Sequence, residues 1–202
     1  MRLVHESYRE IGDRRERRSA PPLPGPEVSG GRGRFSPVFR DSRLVSLSSP
    51  PESAFEPICR IGGTTGWYYG DWLWRLRGWM DSMVGGIGMR RGRRHPEQIQ
   101  VGDAVDCWRV EAFEPHHRLL LALEMRMPGR GWLEFEVNGN GSGSTIRLTA
   151  TYDSGGLLGC LYWYLTYPFH ERLFTGMLRG IGAATRSLAE VREAVREESK
   201  DA

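Results

Sequence analysis

The sequence has only three cysteines and no long apolar run, and each scarcity argues against a class of protein. Cys59, Cys107 and Cys160 are far apart, odd in number and form no C-x-x-C pair, so neither a zinc knuckle nor a disulfide framework is indicated. A reducing, cytoplasmic setting fits this usage best. The N-terminal residues are charged throughout and lack the apolar segment of a signal peptide.

The longest apolar stretch, residues 155–169, reads GGLLGCLYWYLTYPF. It is too short to cross a bilayer as a helix. Membrane involvement is therefore not expected beyond contact at an interface, and burial of this stretch in the core is the simpler interpretation.

The net charge of +3 is concentrated near the N-terminus. Residues 1–40 contain nine arginines and five acidic residues, which leaves 19 basic and 20 acidic residues for the rest of the chain. Because the remainder is close to neutral, it makes a poor phosphate-binding surface, and nucleic acid is not expected as a partner.

The composition divides the chain into a tail and one domain. Residues 1–40 are rich in arginine, proline, glycine and serine, which predicts a disordered basic tail because such a segment buries too little apolar surface to offset its ordering entropy. Residues 41–197 are enough for a single folded domain, and residues 198–202 form a second short tail.

A dense aromatic segment follows a first short helix predicted over residues 52–60. Four of the seven tryptophans fall within residues 67–79. A second helix is predicted over residues 68–84, with a stripe at helical spacing that is expected to face the core: Tyr68 or Tyr69, Trp72, Leu76, Trp79 and Met83. Trp74 lies off this stripe and is expected to face a pocket, a partner or water.

From residue 104 the apolar period changes to two, which predicts an antiparallel meander of four strands over residues 104–113, 119–127, 132–137 and 145–152. The phase predicts which side chains are buried: Leu121, Leu133, Phe135, Ile146 and Leu148. It predicts an opposite, solvent-facing set: Glu124, Glu134, Glu136 and Arg147. Glu124 and Glu134 are an acid/base pair if brought together, but cross-strand pairing with Arg109 or Arg147 is the simpler interpretation.

Two helices are predicted to complete the chain. An apolar helix over residues 157–165 is expected to break at Pro168, and a long amphipathic helix is expected to run to about residue 197. Its inward stripe contains Phe169 or His170, Leu173, Met177, Ile181, Ala184, Leu188 and Val191. Gly176, Gly180 and Gly182 indicate either close approach of the helix to the sheet or space for a ligand.

Several consecutive blocks resemble one domain family. The segments GWYYGDWLWRLRG, GRRHPEQIQVGDAVDCWRVE, LEMRMPGRGWLEFEV and GLLGCLYWYLTYPFHERLFTGM look like an uncharacterised START-like domain of the polyketide cyclase and lipid-transport superfamily. That domain is often found C-terminal to an NAD(P)-binding domain of the epimerase-like or atypical short-chain dehydrogenase type. The resemblance covers about residues 41–187. It implies an α+β helix-grip fold, in which a curved antiparallel sheet wraps around a long C-terminal helix and leaves a cavity between them, but no settled activity.

The chain departs from the fused arrangement because no strand-Gly-x-Gly-x-x-Gly-helix unit precedes the domain. Nicotinamide is therefore not carried over, and no cofactor is expected. The Gly-rich segments at residues 62–66 and 139–143 lack the context of a phosphate cradle. His116 and His117 have no acidic or cysteine residue at ligand spacing, so no metal site is expected.

The sequence predicts a binder of a small apolar or aromatic molecule, held in the cavity by desolvation. The predicted ligand-binding residues are Trp67, Tyr68, Trp72, Trp108, Phe135, Tyr162 and His170. Two alternatives remain open. One is a cyclase- or dehydratase-like enzyme in which His170, the single catalytic candidate, or a carboxylate moves a proton. The other is a module that docks on an NAD(P)-dependent reductase through Trp74, Trp132 or the arginine-rich loop at residues 89–95.

Overall fold

The computed structural model describes residues 3–6, 37–83, 85–86, 88, 93–141 and 143–199. These residues form seven strands and three helices. The strands are β1 Leu3–Glu6, β2 Val38–Leu47, β3 Ala104–Val105, β4 Trp108–Glu114, β5 Arg118–Leu123, β6 Arg130–Gly139 and β7 Ser144–Asp153. The helices are α1 Pro51–Cys59, α2 Asp71–Met83 and α3 Leu157–Glu198.

The strands pair in the order β1-β2-β7-β6-β5-β4-β3, and every pairing is antiparallel. Strands β4 to β7 form the predicted meander. The first predicted strand is divided into β3 and β4 by a turn at Asp106, whose φ of 54° is left-handed. The curved sheet wraps around α3, so the α+β helix-grip architecture is confirmed.

The predicted phase of the meander is also correct. Leu121, Leu133, Phe135, Ile146 and Leu148 are all fully buried. Their strand neighbours point to the opposite face, where Arg109 pairs with Glu124 and Arg118 pairs with Glu134. Alternation places side chains on two faces, and only one of these faces packs against helices, which is why period two identified the core.

Helix α3 does not break at Pro168, contrary to the prediction. It continues without interruption for 42 residues, and Pro168 is exposed. A proline inside a helix costs about 3 kcal/mol. Burial on both sides of the proline, through Trp163 before it and Leu173 after it, outweighs this cost. The predicted inward stripe is buried from Leu173 to Ile181, whereas Phe169 and Val191 at its two ends are exposed.

The predicted orientation of α2 is wrong. Its apolar stripe faces outward, and Trp72 is 67% exposed. The buried residues of the helix are Trp74, Gly78 and Asp81. Two contacts fix this rotation. Trp74 packs on the aromatic core, and the Asp81 carboxylate accepts hydrogen bonds from the backbone N–H of Gly88 and of Arg126, both at 2.8 Å.

Two parts of the predicted disordered tail form regular structure. Residues 3–6 pair with β2 at the edge of the sheet, and β2 begins at Val38 rather than near residue 41. The other residues of that tail, 1–2 and 7–36, lie outside the described residues.

Candidate functional site

A cavity of about 630 Å³ lies between the sheet, α2 and α3. Aromatic and aliphatic side chains supply most of its wall. The lining residues used below are Leu76, Met80, Trp108, Tyr162, Phe169 and His170. The meander contributes the floor, α3 contributes one wall, and α2 lies across the opposite side. The predicted space between sheet and helix therefore exists, with α2 as an additional boundary.

Three tryptophans pack together beside this cavity, and two of them line it. The ring centroids of Trp67 and Trp74 are 4.9 Å apart, and that of Trp108 lies 5.9 Å from Trp67 and 6.1 Å from Trp74. Trp67 donates its indole N–H to Asp106 Oδ2 at 3.0 Å, which fixes the innermost ring. Trp74 and Trp108 line the cavity. Their buried indole nitrogens have no hydrogen-bond partner among the described residues, so both rings act mainly as apolar surface.

His170 faces the cavity from α3, between Trp163 at 5.4 Å and Phe174 at 5.3 Å between ring centroids. Its Nδ1 has no hydrogen-bond partner in the described part of the chain. Burial lowers the pKa of His170 to about 4, an effect that Asp41 partly opposes and Arg43 reinforces. The imidazole is therefore neutral at pH 7, which argues against its predicted use as a proton donor.

A buried ion pair lies beside His170 and was not anticipated from the sequence. Arg43 Nη2 donates to Asp41 Oδ2 at 2.8 Å, and both side chains are almost fully buried. Arg43 Nη1 also donates to Thr175 Oγ1 at 2.7 Å and to the carbonyl of Glu171 at 3.1 Å. The guanidinium thus ties β2 to α3. The only sequence signal was alternation, which places Asp41 and Arg43 on the same face of β2 as Val45 and Leu47.

The seven predicted ligand-binding residues do not form one group. Trp108, Tyr162 and His170 line the cavity. Trp67 and Phe135 are buried in the core outside its lining. Trp72 is exposed on the outer face of α2. Tyr68 lies on the loop before α2 and donates its hydroxyl to the carbonyl of Pro57 at 2.9 Å.

Trp74, which was expected to face a pocket, a partner or water because it departs from the apolar stripe of α2, lines the cavity. Other lining residues were not predicted from the sequence: Leu73 comes from the inner side of α2, and the segment that links β5 to β6 contributes Met125, Arg126 and Met127. The β5–β6 segment had no such signal, because its contribution depends on the Asp81 hydrogen bond to the N–H of Arg126.

A second, more open depression of about 670 Å³ lies between the loop at Tyr68 and Tyr69 and the outer side of α3. The close contact of this loop with α3 accounts for two of the glycines in the helix. A methyl group on Gly176 would overlap the ring of Tyr69, and one on Gly180 would overlap the backbone carbonyl of Tyr68. These glycines allow the loop, rather than the sheet, to approach α3.

The other predicted candidates have structural partners. Glu124 and Glu134 are each held by a different arginine, at 3.0 Å and 2.6 Å. His117 Nδ1 lies 3.0 Å from the carbonyl of Val137. Within the described ranges, no group of three or more His, Cys, Asp or Glu residues gathers at metal-binding distance.

Of the residues that were predicted to dock on a reductase, the two tryptophans are not on an exposed surface. Residues 89–92 lie outside the described residues, and Arg94 pairs with Asp103 at 2.9 Å. Trp74 and Trp132 are buried rather than exposed. Across the part of the chain that the structure describes, no helix has the length and apolarity needed to cross a bilayer.

The protein is similar to several solved structures at low sequence identity. CalU16 from Micromonospora echinospora is 11% identical with a TM-score of 0.37, over 76% of this chain and 88% of CalU16. Protein MLL2253 from Mesorhizobium loti is 12% identical with a TM-score of 0.43, over 73% of this chain and 97% of that one. The protein of unknown function SA2116 from Staphylococcus aureus is 10% identical with a TM-score of 0.45, over 77% and 98%.

No curated protein is significantly similar to this sequence. Residues 36–177 match the sequence profile of the family described as Protein of unknown function (DUF2867), and the chain therefore belongs to that family.

Proposed function

We propose that the protein binds a small apolar or aromatic molecule in the cavity between the sheet, α2 and α3. The observation that supports this most directly is the cavity's volume of about 630 Å³ combined with its mostly aromatic and aliphatic wall. Sites for small molecules typically enclose about 300–1,000 Å³ and have few polar groups. The volume is large enough for a ligand of two to four fused or linked rings.

Binding in this cavity would be driven by desolvation. Each Å² of apolar ligand surface removed from water contributes about 25 cal/mol, before the cost of association is subtracted. Trp74 and Trp108 offer ring faces for stacking, while Thr166, Tyr162 and His170 supply the few polar atoms that would orient the ligand. Because the His170 imidazole is neutral, its ring nitrogens can form a hydrogen bond with the ligand without burying a charge.

A fluorescent apolar probe, N-phenyl-1-naphthylamine, tests this proposal. The wild-type chain should bind it saturably. Trp108→Ala should weaken binding about tenfold through loss of a ring face. Thr166→Phe should weaken binding as well, because it fills part of the cavity from α3. Trp72→Ala removes the same side chain from an exposed position outside the cavity, so it should bind the probe like the wild type.

The result that would contradict the proposal is equally clear. If Trp108→Ala and Thr166→Phe are both folded by circular dichroism and both bind the probe with wild-type affinity, the ligand does not occupy this cavity. Absence of saturable binding by the wild type would count in the same direction.

The other two functions predicted from the sequence have less support. A cyclase- or dehydratase-like reaction that uses His170 as an acid is disfavoured by its lowered pKa. Docking on an NAD(P)-dependent reductase through Trp74 or Trp132 is disfavoured because both side chains are buried.

A further inference from the structure

Two rows of large apolar side chains are exposed on α2 and α3, and both rows reach the lining of the same cavity. The first row is the outer face of α2 and contains Trp72, Leu76, Trp79, Met80 and Met83. The second is the first four turns of α3 and contains Leu157, Leu158, Leu161, Leu165 and Phe169. We call these ten residues the apolar rim. Single exposed apolar residues are ordinary, but two helical rows that reach one cavity mark an interaction surface.

Three residues of the apolar rim lie at the mouth of the cavity. Leu76, Met80 and Phe169 belong to both, since they line the cavity and are also 45%, 52% and 58% exposed. Leu76 and Met80 are on α2 and Phe169 is on α3, so the cavity opens to the outside between these two helices. Apolar surface is therefore continuous from the outer faces of both helices into the cavity.

The charges beside the rim are predominantly positive. Arg75 and Arg77 flank the row on α2, and Arg126 and Arg130 lie in and beside the β5–β6 segment at the cavity wall. Residues 157–169 contain no Asp, Glu, Lys or Arg.

Fewer acidic side chains lie beside the rim. Asp71 Oδ1 accepts the backbone N–H of Trp67 at 2.8 Å, Asp81 is fully buried, and Asp153 lies opposite Arg130 across β6 and β7. Glu124 pairs with Arg109 at 3.0 Å, so their charges cancel. The four arginines therefore leave a small excess of positive charge over these three carboxylates beside the rim.

We propose that the apolar rim docks on the surface of a bilayer that contains anionic phospholipids, with the mouth of the cavity turned toward the lipid. Tryptophan, leucine and methionine would enter the boundary between headgroups and acyl chains, to a depth of about 5–10 Å, as the apolar faces of interfacial helices do. The arginines would contact the headgroup phosphates. The combination of tryptophan and arginine on one helix suits a surface that is apolar beneath an anionic layer.

Two other occupants fit the charges less well. A two-fold contact with a second copy would bring the same arginines of both copies together around one interface, which is unfavourable. The chain's own residues 7–36 contain seven arginines and four acidic residues, so their net charge has the same sign as that of the rim. An anionic lipid surface matches both the apolar rows and the arginines.

This inference goes beyond the proposed function and does not depend on it. A chain that binds no small molecule can still dock through its outer surface, and a chain that fails to dock can still fill its cavity. The rim is tested with vesicles and the cavity with the soluble probe, so the two failures are distinguishable.

Flotation of the full chain with vesicles tests the proposal. We expect the wild type to float with equimolar phosphatidylcholine and phosphatidylglycerol, and much less with phosphatidylcholine alone. Trp79→Glu on α2 and Leu161→Glu on α3 should each lower partitioning about tenfold or more. Arg75→Gln should lower it about fivefold, because one arginine near an anionic surface contributes at that level.

Matched controls come from the other end of α3. Val191 and Val195 are each 59% exposed, and Val191 lies about 39 Å along the helix from Leu165. Val191→Glu and Val195→Glu add the same charge to the same helix away from the rim, so they should float like the wild type. Circular dichroism checks the fold of each variant, and the two rim variants on separate helices give independent readings.

Three outcomes would overturn the proposal. The first is a wild-type chain that does not float with the anionic vesicles. The second is a folded pair of rim variants that float as well as the Val191→Glu control. The third is a chain that is dimeric by light scattering and becomes monomeric on Trp79→Glu, because the rim would then be covered by a second copy.

Discussion

Trp72 and Trp74 offer a matched test of how α2 is seated, because they are the same residue type, two positions apart on one helix, with opposite environments. Trp72 is 67% exposed, whereas Trp74 is 7% exposed and packs against Trp67 and Trp108. Trp74→Ala should therefore lower the free energy of unfolding by much more than Trp72→Ala does.

The expected magnitudes follow from burial. A tryptophan that buries about 200 Å² contributes about 5 kcal/mol at 25 cal/mol per Å². The true change on folding is smaller because the unfolded chain already buries part of this surface, which reduces the estimate for Trp74 to about 4 kcal/mol. For Trp72, with about one third of its surface buried, the same arithmetic gives about 1.4 kcal/mol.

Urea unfolding followed by far-ultraviolet circular dichroism measures both values, since each variant keeps six tryptophans and the helical signal is unaffected by which one is removed. Equal losses of unfolding free energy for the two variants, or a larger loss for Trp72→Ala, would refute the orientation of α2 described above. The wall of the cavity and the apolar rim would then both be misassigned, because each depends on this rotation of the helix.

Two further predictions concern the polar cluster beside the cavity. Asp41→Asn should cost about 3 kcal/mol because it leaves the buried Arg43 guanidinium without its counter-charge, and Asp41→Leu combined with Arg43→Met should cost less; a loss below about 1 kcal/mol in urea unfolding would show that the pair is effectively solvated. His170 has a pKa of about 4 in the folded chain against 6.5 when unperturbed, so the unfolded state binds more protons between these values and stability should fall by about 3 kcal/mol as pH is lowered from 6.5 to 4. His170→Gln should flatten that part of the pH profile, and an unchanged profile would contradict the lowered pKa.

The sheet was predictable from the sequence because one of its faces packs against the helices and the other is partly exposed to water. In β6, Leu133, Phe135 and Val137 are buried and alternate with two glutamates that are partly exposed. Strand β7 repeats this difference between a packed face and a more exposed face along its whole length, so period two identifies both the strand and its orientation. The helical spacing of apolar residues predicted the long C-terminal helix, and the resemblance to a START-like domain added the cavity between this helix and the sheet.

The site was less predictable because it depends on contacts between distant segments. The β5–β6 segment reaches the cavity wall because the N–H of Arg126 donates to Asp81, 45 residues earlier. Asp41 and Arg43 enter the core because their charges pair and because Thr175 and Glu171 on α3 accept hydrogen bonds from Arg43 Nη1. In one sequence, such residues look like surface charges, since pairing across the fold has no local pattern.

Helix α2 shows why an apolar stripe is an incomplete guide to the core. Hydrophobic periodicity reports that one face of a helix avoids water, but not whether protein, ligand or lipid covers that face. On α2 the opposite side contains Trp74, Gly78 and Asp81, which together supply a ring that fits the tryptophan cluster, a residue without a side chain and a carboxylate that accepts two backbone N–H groups. These specific contacts outweigh burial of the larger stripe. A helix that uses its less apolar side to join the fold keeps its more apolar side available for a partner, and here that side borders the mouth of the cavity.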